Sequence, residues 1–414
     1  MRIETGNQHE SNSLDCDAGF DSFIADWVTI WFLERFYDSE GDQIAQAFRD
    51  ELEPYYDGDV ADLSASEALR AYNEEFARPG SELGDVVGAA SAAIHEVASL
   101  GPAFIINTGD LVLEANQGSA DAIERWFRFF VSLVEPLPMP LYNTIGNNEI
   151  AGTENDDFPA DDVRFGKHYF EKYFGPTQFS FDYGDFHFVA LDTHRPDPDS
   201  NDPKDRSFTH MEPEISAWAD ADLEAHRGQV LVALNHEPFH WDPGWPFDKQ
   251  EVAQDDGLFA KHRVAYVLTG HTHWKSFMTI DGVHHLTTGA LSGLRWVVPA
   301  ALHERGYRLF YARDRSLYSA WKATGQAVLA AAEPPSTDLA ILVLVAADTA
   351  GRFESIEARA GGVRLETDRW GDYFAAVALP RKATLAEPIE IDVSAIRADG
   401  SRVHERLLVP TAAR

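Results

Sequence analysis

The stretch Val267-Leu268-Thr269-Gly270-His271-Thr272-His273 decides how this sequence is interpreted. An apolar run is followed by a glycine and by two histidines at positions i and i+2. A short apolar run bounded by glycine predicts a buried strand. The two imidazoles after it can face neighbouring metal ions, whereas packing explains one of them and seldom both. The stretch therefore predicts a metal-binding strand end.

Three more apolar runs end in side chains that can bind metal ions. They are Asp110 after residues 104–107, Asn147 after residues 141–145, and His236 after residues 229–234. Each alone is more often part of a turn or of a packed core. Open α/β sheets place their binding crevices at the carboxyl ends of strands, so four such ends favour one shared site.

The chain is organised in three parts. Residues 21–100 have a helical and acidic pattern. Strand and helix patterns then alternate as in an α/β protein, with a helix predicted at 120–134 and a hairpin at 179–191. Residues 331–337 have a linker composition, and the runs beyond them predict a small all-β sandwich.

Length and charge narrow the class of protein. A chain of 414 residues exceeds what one core usually organises, so we expect a large domain at 1–330 and a smaller one at 337–414. No apolar run approaches the roughly 18 residues of a membrane span. With 34 Lys+Arg against 68 Asp+Glu, the net charge of −34 argues against nucleic acid as a charge-driven partner. The oligomeric state is left open.

The first residues lack a basic start followed by an apolar stretch, so no signal peptide is predicted. As it stands, the sequence favours a cytoplasmic protein. A leader removed before Met1 would instead make the protein periplasmic or secreted. The single cysteine, Cys16, excludes an internal disulfide but leaves the redox compartment open.

The order Gly-Asp, Gly-Asn, a lone His and Gly-His-x-His resembles the calcineurin-like metallophosphoesterase superfamily across residues 101–325. Within this range, residues 173–176, 179–192 and 319–325 look like the bacterial branch that carries a C-terminal β domain. The resemblance implies an α/β fold in which a two-sheet β-sandwich is flanked by helices. Residues 20–100 would then form a helical insertion or cap.

The resemblance also implies a site and a reaction. Asp110 would bridge two metal ions, while Asn147, His236 and His271 complete one site and His273 serves the other. The ions would be divalent or trivalent Mn, Fe, Zn or Ni, in keeping with the mixed nitrogen and oxygen ligands. They would turn water into a hydroxide that hydrolyses a phosphate mono- or diester, from a small or lipid-linked substrate.

Two departures from the family pattern bear on that reaction. Asn148 stands where many members carry a catalytic histidine. It can donate a hydrogen bond to a phosphoryl oxygen, but it cannot act as a general acid. The Asp-x-His motif expected upstream of Asp110 is also missing, and its nearest imitation is Asn7 with His9.

Three explanations of the missing motif stay open. The sequence can begin after the motif, Asn7 and His9 can form a variant of it, or one metal site can be weakened, which makes the second metal ion doubtful. Another function class also stays open, namely a degenerate member that binds a ligand or partner without turnover. Residues 21–100 are a cap or a protein-interaction module.

Overall fold

The computed structural model describes residues 86–112, 115–155, 158–196, 207–209, 211–240, 253, 257–273, 275–291, 305–324, 341–345, 353–370, 374–378, 389–397 and 399–409. Asn7, His9, the linker at 331–337 and residues 21–85 lie outside them. The chain forms two compact units, Met1–Ala89 and Ala90–Arg414. The elements described below belong to the second unit, except for the start of the first helix. The two domains expected from the sequence stay a prediction.

Five α-helices lie in the described ranges: α1 Val86–Ser99, α2 Ala120–Val134, α3 His168–Phe174, α4 Pro213–Ala225 and α5 Leu258–His262. The first strands are β1 Ile105–Asn107, β2 Leu141–Asn143, β3 Phe179–Tyr183, β4 Phe186–Ala190, β5 His194–Pro196, β6 Ser207–Thr209, β7 Val230–Leu234, β8 Tyr266–Thr269, β9 Ser276–Ile280 and β10 Val283–Thr287. The remaining strands are β11 Gly306–Arg313, β12 Ser316–Ala323, β13 Ile341–Val345, β14 Phe353–Ala360, β15 Val363–Arg364, β16 Thr367–Trp370, β17 Phe374–Ala378, β18 Ile389–Arg397 and β19 Arg402–Val409.

The central sheet has six strands in the order β3-β4-β7-β8-β10-β9. The four inner strands are parallel, and the two outer strands run antiparallel to them. Side chains of β7 alternate between two buried clusters, with Val230, Val232 and Leu234 in one and Leu231 and Ala233 in the other. This alternation is the period of two that a strand imposes, and it shows that both faces of the sheet are covered.

Each face of the central sheet packs against a different layer. Helices α4 and α5 cover one face, for example through Leu223 and Phe259. On the other face, Ile106 of β1 and Leu317 of β12 pack against the sheet. The strands of this second layer form two separate pairs, parallel β1-β2 and antiparallel β11-β12. The predicted α/β fold class is thereby confirmed.

The C-terminal strands form an all-β unit, as predicted. One sheet has the order β13-β17-β16 and the other β15-β14-β18-β19. Val377 of the first sheet and Phe353, Ile391 and Val393 of the second share one buried cluster. The two sheets are therefore layers of a sandwich held by apolar side chains on their facing sides.

Sequence patterns located most strands but missed several elements of the core. The predicted helix at 120–134 coincides with α2, and the hairpin at 179–191 corresponds to β3 and β4. Helix α4 was missed because it buries only Ile215, Ala219 and Leu223, so its apolar stripe is thin. Strand β10 was missed because two of its five residues are histidines. No helix among the described residues is long and apolar enough to span a membrane.

A buried ion pair ties α1 to the β11-β12 hairpin. Nζ of Lys322 donates a hydrogen bond to Oε1 of Glu96, and the Tyr307 hydroxyl donates to the same oxygen at 2.7 Å. The side chain of Lys322 is 1% exposed and that of Glu96 is 6% exposed. Because both charges are out of water, removal of either one leaves the other buried and uncompensated.

We expect Lys322→Met to lower the free energy of unfolding by about 3–5 kcal/mol, the usual cost of breaking a buried ion pair. The exposed pair between Lys172 and Glu124 provides the matched control. Lys172→Met should cost less than about 1 kcal/mol, as surface ion pairs do. Urea denaturation followed by circular dichroism measures both values. Equal costs for the two variants would contradict the structural role of the buried pair.

Candidate metal centre

Four side chains meet where strands of both layers end. They are Asp110 after β1, Asn147 after β2, His236 after β7 and His271 after β8. Nε2 of His236 lies 3.1 Å from Oδ1 of Asp110 and 3.1 Å from Oδ1 of Asn147. Nδ1 of His271 lies 3.2 Å from that same nitrogen and 3.1 Å from Oδ1 of Asn147. The structure thus brings together four side chains singled out in the sequence.

A hydrogen bond sets the chemistry of His236. Its Nδ1 lies 2.7 Å from the carbonyl oxygen of Thr108, and a carbonyl can only accept, so Nδ1 carries the proton. In the neutral ring, Nε2 then presents a lone pair to the carboxylate of Asp110 and the amide oxygen of Asn147. Acceptor atoms that face one another in this way repel unless a cation lies among them. The donor set therefore fits a metal ion.

The pKa values of Asp110 and His236 also show that positive charge is favourable at this site. Burial disfavours an imidazolium at His236, but the charge of Asp110 outweighs it and raises the pKa of His236 to about 10. Burial also opposes ionisation of Asp110, yet the attraction of His236 holds the pKa of that carboxyl well below its usual range. Burial and the charge of His236 lower the pKa of His271 to about 3, so this ring is neutral. A neutral imidazole is the form that binds metals.

Glu149 braces the two loops that follow β1 and β2. Its fully buried carboxylate accepts the backbone N–H groups of Gly146 at 2.7 Å, Asp110 at 2.9 Å and Val112 at 3.1 Å. Burial, together with the charge of Asp110, raises the pKa of Glu149 to about 7. Glu149 is not among the site residues predicted from the sequence, and the signal for it was its position directly after Gly146-Asn147-Asn148.

The backbone at the site is strained. Among the described residues, seven non-glycine residues have positive φ, and three of them are Asp110, His271 and His273 at 56°, 64° and 54°. Such conformations cost about 1–3 kcal/mol each and persist where the surroundings impose them. Gly109 has a φ of 101°, and a Cβ there would lie 2.4 Å from Nδ1 of His236. Only glycine lets β1 and β7 approach this closely.

His273 and Asn148 lie beside the four side chains. His273 is outside the group of Asp110, His236 and His271, whose ligand atoms all lie within 4.8 Å of one another. Its charge nevertheless contributes to lowering the pKa of Asp110 and of His271. The backbone N–H of Asn148 donates to Oδ1 of Asp110 at 3.3 Å. Asn7 and His9 lie outside the described residues.

A polar network lies behind His236. It joins Asn235 and Glu237, the neighbours of His236 along the chain, to Thr193 and His194 from the segment after β4. The Thr193 hydroxyl lies 2.8 Å from Oε2 of Glu237 and 3.1 Å from Oδ1 of Asn235. The available signal was the polar run Asp192-Thr193-His194 just after β4, which ends at the same sheet edge as β7.

A second group of His and Asp side chains lies away from this edge. Asp182, His187 and His226 could also be grouped around a metal ion by distance. However, the ring nitrogens of His187 lie 2.8 Å from Oδ1 of Asp182 and 2.7 Å from Oδ2 of Asp222. Its ring also stacks on that of His226 with centroids 3.7 Å apart, so the two sets of lone pairs do not converge. This group is a hydrogen-bond network centred on the buried ring of His187.

The part of the chain that contains the candidate site matches a known protein family. Residues 83–275 match the family described as calcineurin-like phosphoesterase, and this range contains all four converging side chains. Proteins of this family typically bind divalent metal ions. A search of curated proteins found no match.

Several solved structures are similar to this chain. A purple acid phosphatase from yellow lupin (Lupinus luteus) seeds has 17% identity and a TM-score of 0.40, over 60% of this chain and 47% of the lupin protein. GAP50 of Plasmodium has 10% identity and a TM-score of 0.38, over 61% and 83% of the two chains. Phosphopantetheinyl hydrolase from Mycobacterium tuberculosis has 15% identity and a TM-score of 0.31, over 45% and 79%. This chain thus spans about half the length of the lupin enzyme. Similarities of this strength support no argument about function.

We expect Gly109→Ala to destabilise the protein more than Gly175→Ala does. Both glycines have positive φ, 101° and 89°, but a Cβ at position 175 meets no atom within 4 Å. The control therefore carries the backbone strain alone, about 1 kcal/mol or more. Gly109→Ala adds the clash with His236, for a further loss of about 1–3 kcal/mol. Urea denaturation measures the difference, and equal losses would show that His236 does not require glycine beside it.

Proposed function

We propose that this chain, whose residues 83–275 belong to the calcineurin-like phosphoesterase family, hydrolyses a phosphate ester with the help of bound metal ions. The observation that carries the proposal is the convergence of acceptor atoms from Asp110, Asn147, His236 and His271. Four strands from two layers deliver these atoms to one point, where the lone pairs of neutral rings and the oxygens of Asp110 and Asn147 would surround a cation. A site of this composition at strand ends is what metal-assisted hydrolysis requires.

Four side chains of the chain would each supply one ligand to a metal ion. Asp110 supplies the carboxylate, Asn147 an uncharged oxygen, and His236 and His271 one ring nitrogen each. This mixed set suits Mn, Fe, Zn or Ni better than Mg or Ca. Such ions, when bound, acidify water and neutralise charge on phosphoryl oxygens. His273, which lies near this set but outside it, is the candidate for a second ion.

Asn148 shapes which esters this site can hydrolyse. Its amide can donate a hydrogen bond to a phosphoryl oxygen but cannot deliver a proton to the departing oxygen. The leaving group must therefore depart with less help than a histidine at this position would provide. This supports substrates whose leaving groups are stable as anions.

The bulk charge supports a substrate class. A chain with a net charge of −34 repels polyanions, so a small or lipid-linked phosphate ester is favoured over nucleic acid. Neither a monoester nor a diester is favoured by the residues that converge. A cytoplasmic location, or a periplasmic or secreted one after removal of a leader, remains part of the proposal.

Binding without turnover is the second candidate function. It is supported by two observations, the amide at Asn148 and the position of His273 outside the group of converging ligand atoms. A protein of this kind would bind a metal ion and a phosphate ester at the same place and release the ester unchanged.

Metal analysis and a hydrolysis assay test the proposal together. We expect inductively coupled plasma mass spectrometry to find at least one transition metal per chain, and Mn to support hydrolysis of a chromogenic phosphate mono- or diester. Asp110→Asn should reduce kcat/KM by about 100-fold or more, because it removes the only carboxylate among the four side chains. Less than one metal per chain and no turnover would exclude the enzyme. Bound metal without turnover would favour the second candidate.

The role of Asn148 predicts a steep dependence of rate on the leaving group. Across a series of aryl phosphates, log kcat should fall as the pKa of the leaving phenol rises, since no acid at position 148 assists. Asn148→His should flatten this dependence and speed the poorest leaving group by about 10–100-fold, the usual contribution of a general acid. Asn148→Gln, which stays an amide, serves as the control. A flat dependence in the unaltered protein would mean that another group supplies the proton.

A further inference from the structure

His194 and Glu237 lie side by side behind His236. His194 is the first residue of β5, just beyond the end of β4, and Glu237 lies just beyond the end of the neighbouring parallel strand β7. His194 is 1% exposed and Glu237 is fully buried. Nε2 of His194 lies 3.1 Å from Oε1 of Glu237. The approach does not meet the geometry of a hydrogen bond, and neither atom has another hydrogen-bond partner within the part of the chain that the structure describes. Each atom is therefore the main polar neighbour available to the other.

Two buried polar atoms in this arrangement are costly to keep. A buried acceptor or donor without a partner costs roughly 1–3 kcal/mol, and more where the group is charged. An apolar pair of similar size would avoid this cost. Their presence beside a candidate metal ligand indicates a role other than packing.

The contacts around the pair hold both neighbours of His236. The Thr193 hydroxyl reaches Oε2 of Glu237 at 2.8 Å, and Nδ2 of Asn235 donates to the backbone oxygen of Glu237 at 2.8 Å. The backbone oxygen of His236 itself accepts the N–H of Gly270 at 2.8 Å. The turn that carries His236 is thus held from β4 on one side and from β8 on the other.

The loop after β4 is itself anchored. The backbone N–H of His194 donates to Oδ1 of Asp192 at 3.0 Å. Oδ2 of that fully buried carboxylate is 2.6 Å from Nζ of Lys167, at the start of α3. His194 therefore stands on a fixed loop, and it can transmit that position to Glu237.

We propose that His194 and Glu237 are a positioning pair that sets the backbone of His236 and thereby the affinity and geometry of the metal site. The inference rests on the metal binding proposed above. His194 lies outside the group of converging ligand atoms, so it would act through His236 and not by binding the ion itself. Residues that orient metal ligands typically contribute 10–100-fold to metal affinity, although they lie outside the coordination sphere.

Cobalt(II) provides the test, because its visible absorption reports coordination geometry independently of turnover. We expect His194→Leu to weaken cobalt binding by about 10–100-fold and to change the position or intensity of the visible bands. His194→Gln places an amide near the position of Nε2 and should stay within about threefold of the unaltered protein. Glu237→Gln keeps size and replaces a carboxylate oxygen, and we expect about tenfold weaker binding. If His194→Leu does not fold, cobalt binding by Glu237→Gln still tests the proposal.

His187→Leu is the matched control. His187 lies on β4 and is as buried as His194, but its partners are Asp182 and Asp222, away from the site. We expect it to lower the midpoint of urea unfolding and to leave cobalt affinity within about twofold, as for independent sites. Cobalt affinity and spectra that do not change in His194→Leu or Glu237→Gln would overturn the pair. An equal loss in His187→Leu would do the same.

The outcomes also separate this inference from the proposed function. Cobalt binding that follows the expected pattern without hydrolysis would overturn the proposed hydrolysis and leave the positioning pair standing. Hydrolysis by the unaltered protein, with unchanged cobalt binding in the His194 variants, would overturn the pair alone. No cobalt binding by the unaltered protein would overturn both.

Discussion

The hydrogen bond from Nδ1 of His236 to the carbonyl oxygen of Thr108, 2.7 Å long, is the contact on which the site depends. It joins a strand of the central sheet to a strand of the second layer. It also decides which nitrogen of the ring faces Asp110 and Asn147. The same hydrogen bond therefore fixes the orientation of the His236 ring and the distance between the two layers. Gly109 is part of it, because any Cβ at that position would occupy the space of the ring.

The site concentrates features that are unfavourable in the absence of a cation. Acceptor atoms face one another, three residues have left-handed backbone conformations, and the charge of Asp110 helps to raise the pKa of the buried Glu149 carboxyl. A ligand that binds only the folded state stabilises it by mass action, in proportion to the logarithm of its concentration over its dissociation constant. Metal binding would thus offset part of the cost of building this edge of the fold. This relation connects the stability of the protein to its proposed chemistry.

The sequence predicted the site residues that directly follow strands. It did not predict those whose role depends on burial and on contacts with other strands. Asp110, Asn147, His236 and His271 could be chosen because each follows an apolar run, and parallel strands bring such ends to one edge. Glu149 and His194 could not be ranked in the same way, since their importance comes from burial and from partners on other strands. Helix α4 was missed for a related reason, because only three of its side chains are buried. The periodicity of apolar residues shows which face of a helix or strand is buried. Contacts between loops depend on how the sheets and helices pack, which periodicity does not show.

The four converging side chains differ in how they are held. Glu149 fixes the loops of Asp110 and Asn147 through backbone hydrogen bonds. Thr108 orients His236, and the N–H of Gly270 links the His271 turn to the backbone of His236. Residue 148 adds one side-chain contact to this arrangement, since Nδ2 of Asn147 donates a hydrogen bond to Oδ1 of Asn148 at 3.3 Å. Asn148 therefore contacts the Asn147 amide, but its own amide cannot deliver a proton to a leaving group. The hydrogen bonds that hold the four side chains are thus distinct from any group that would supply a proton, so the geometry of the cluster and proton delivery can change separately.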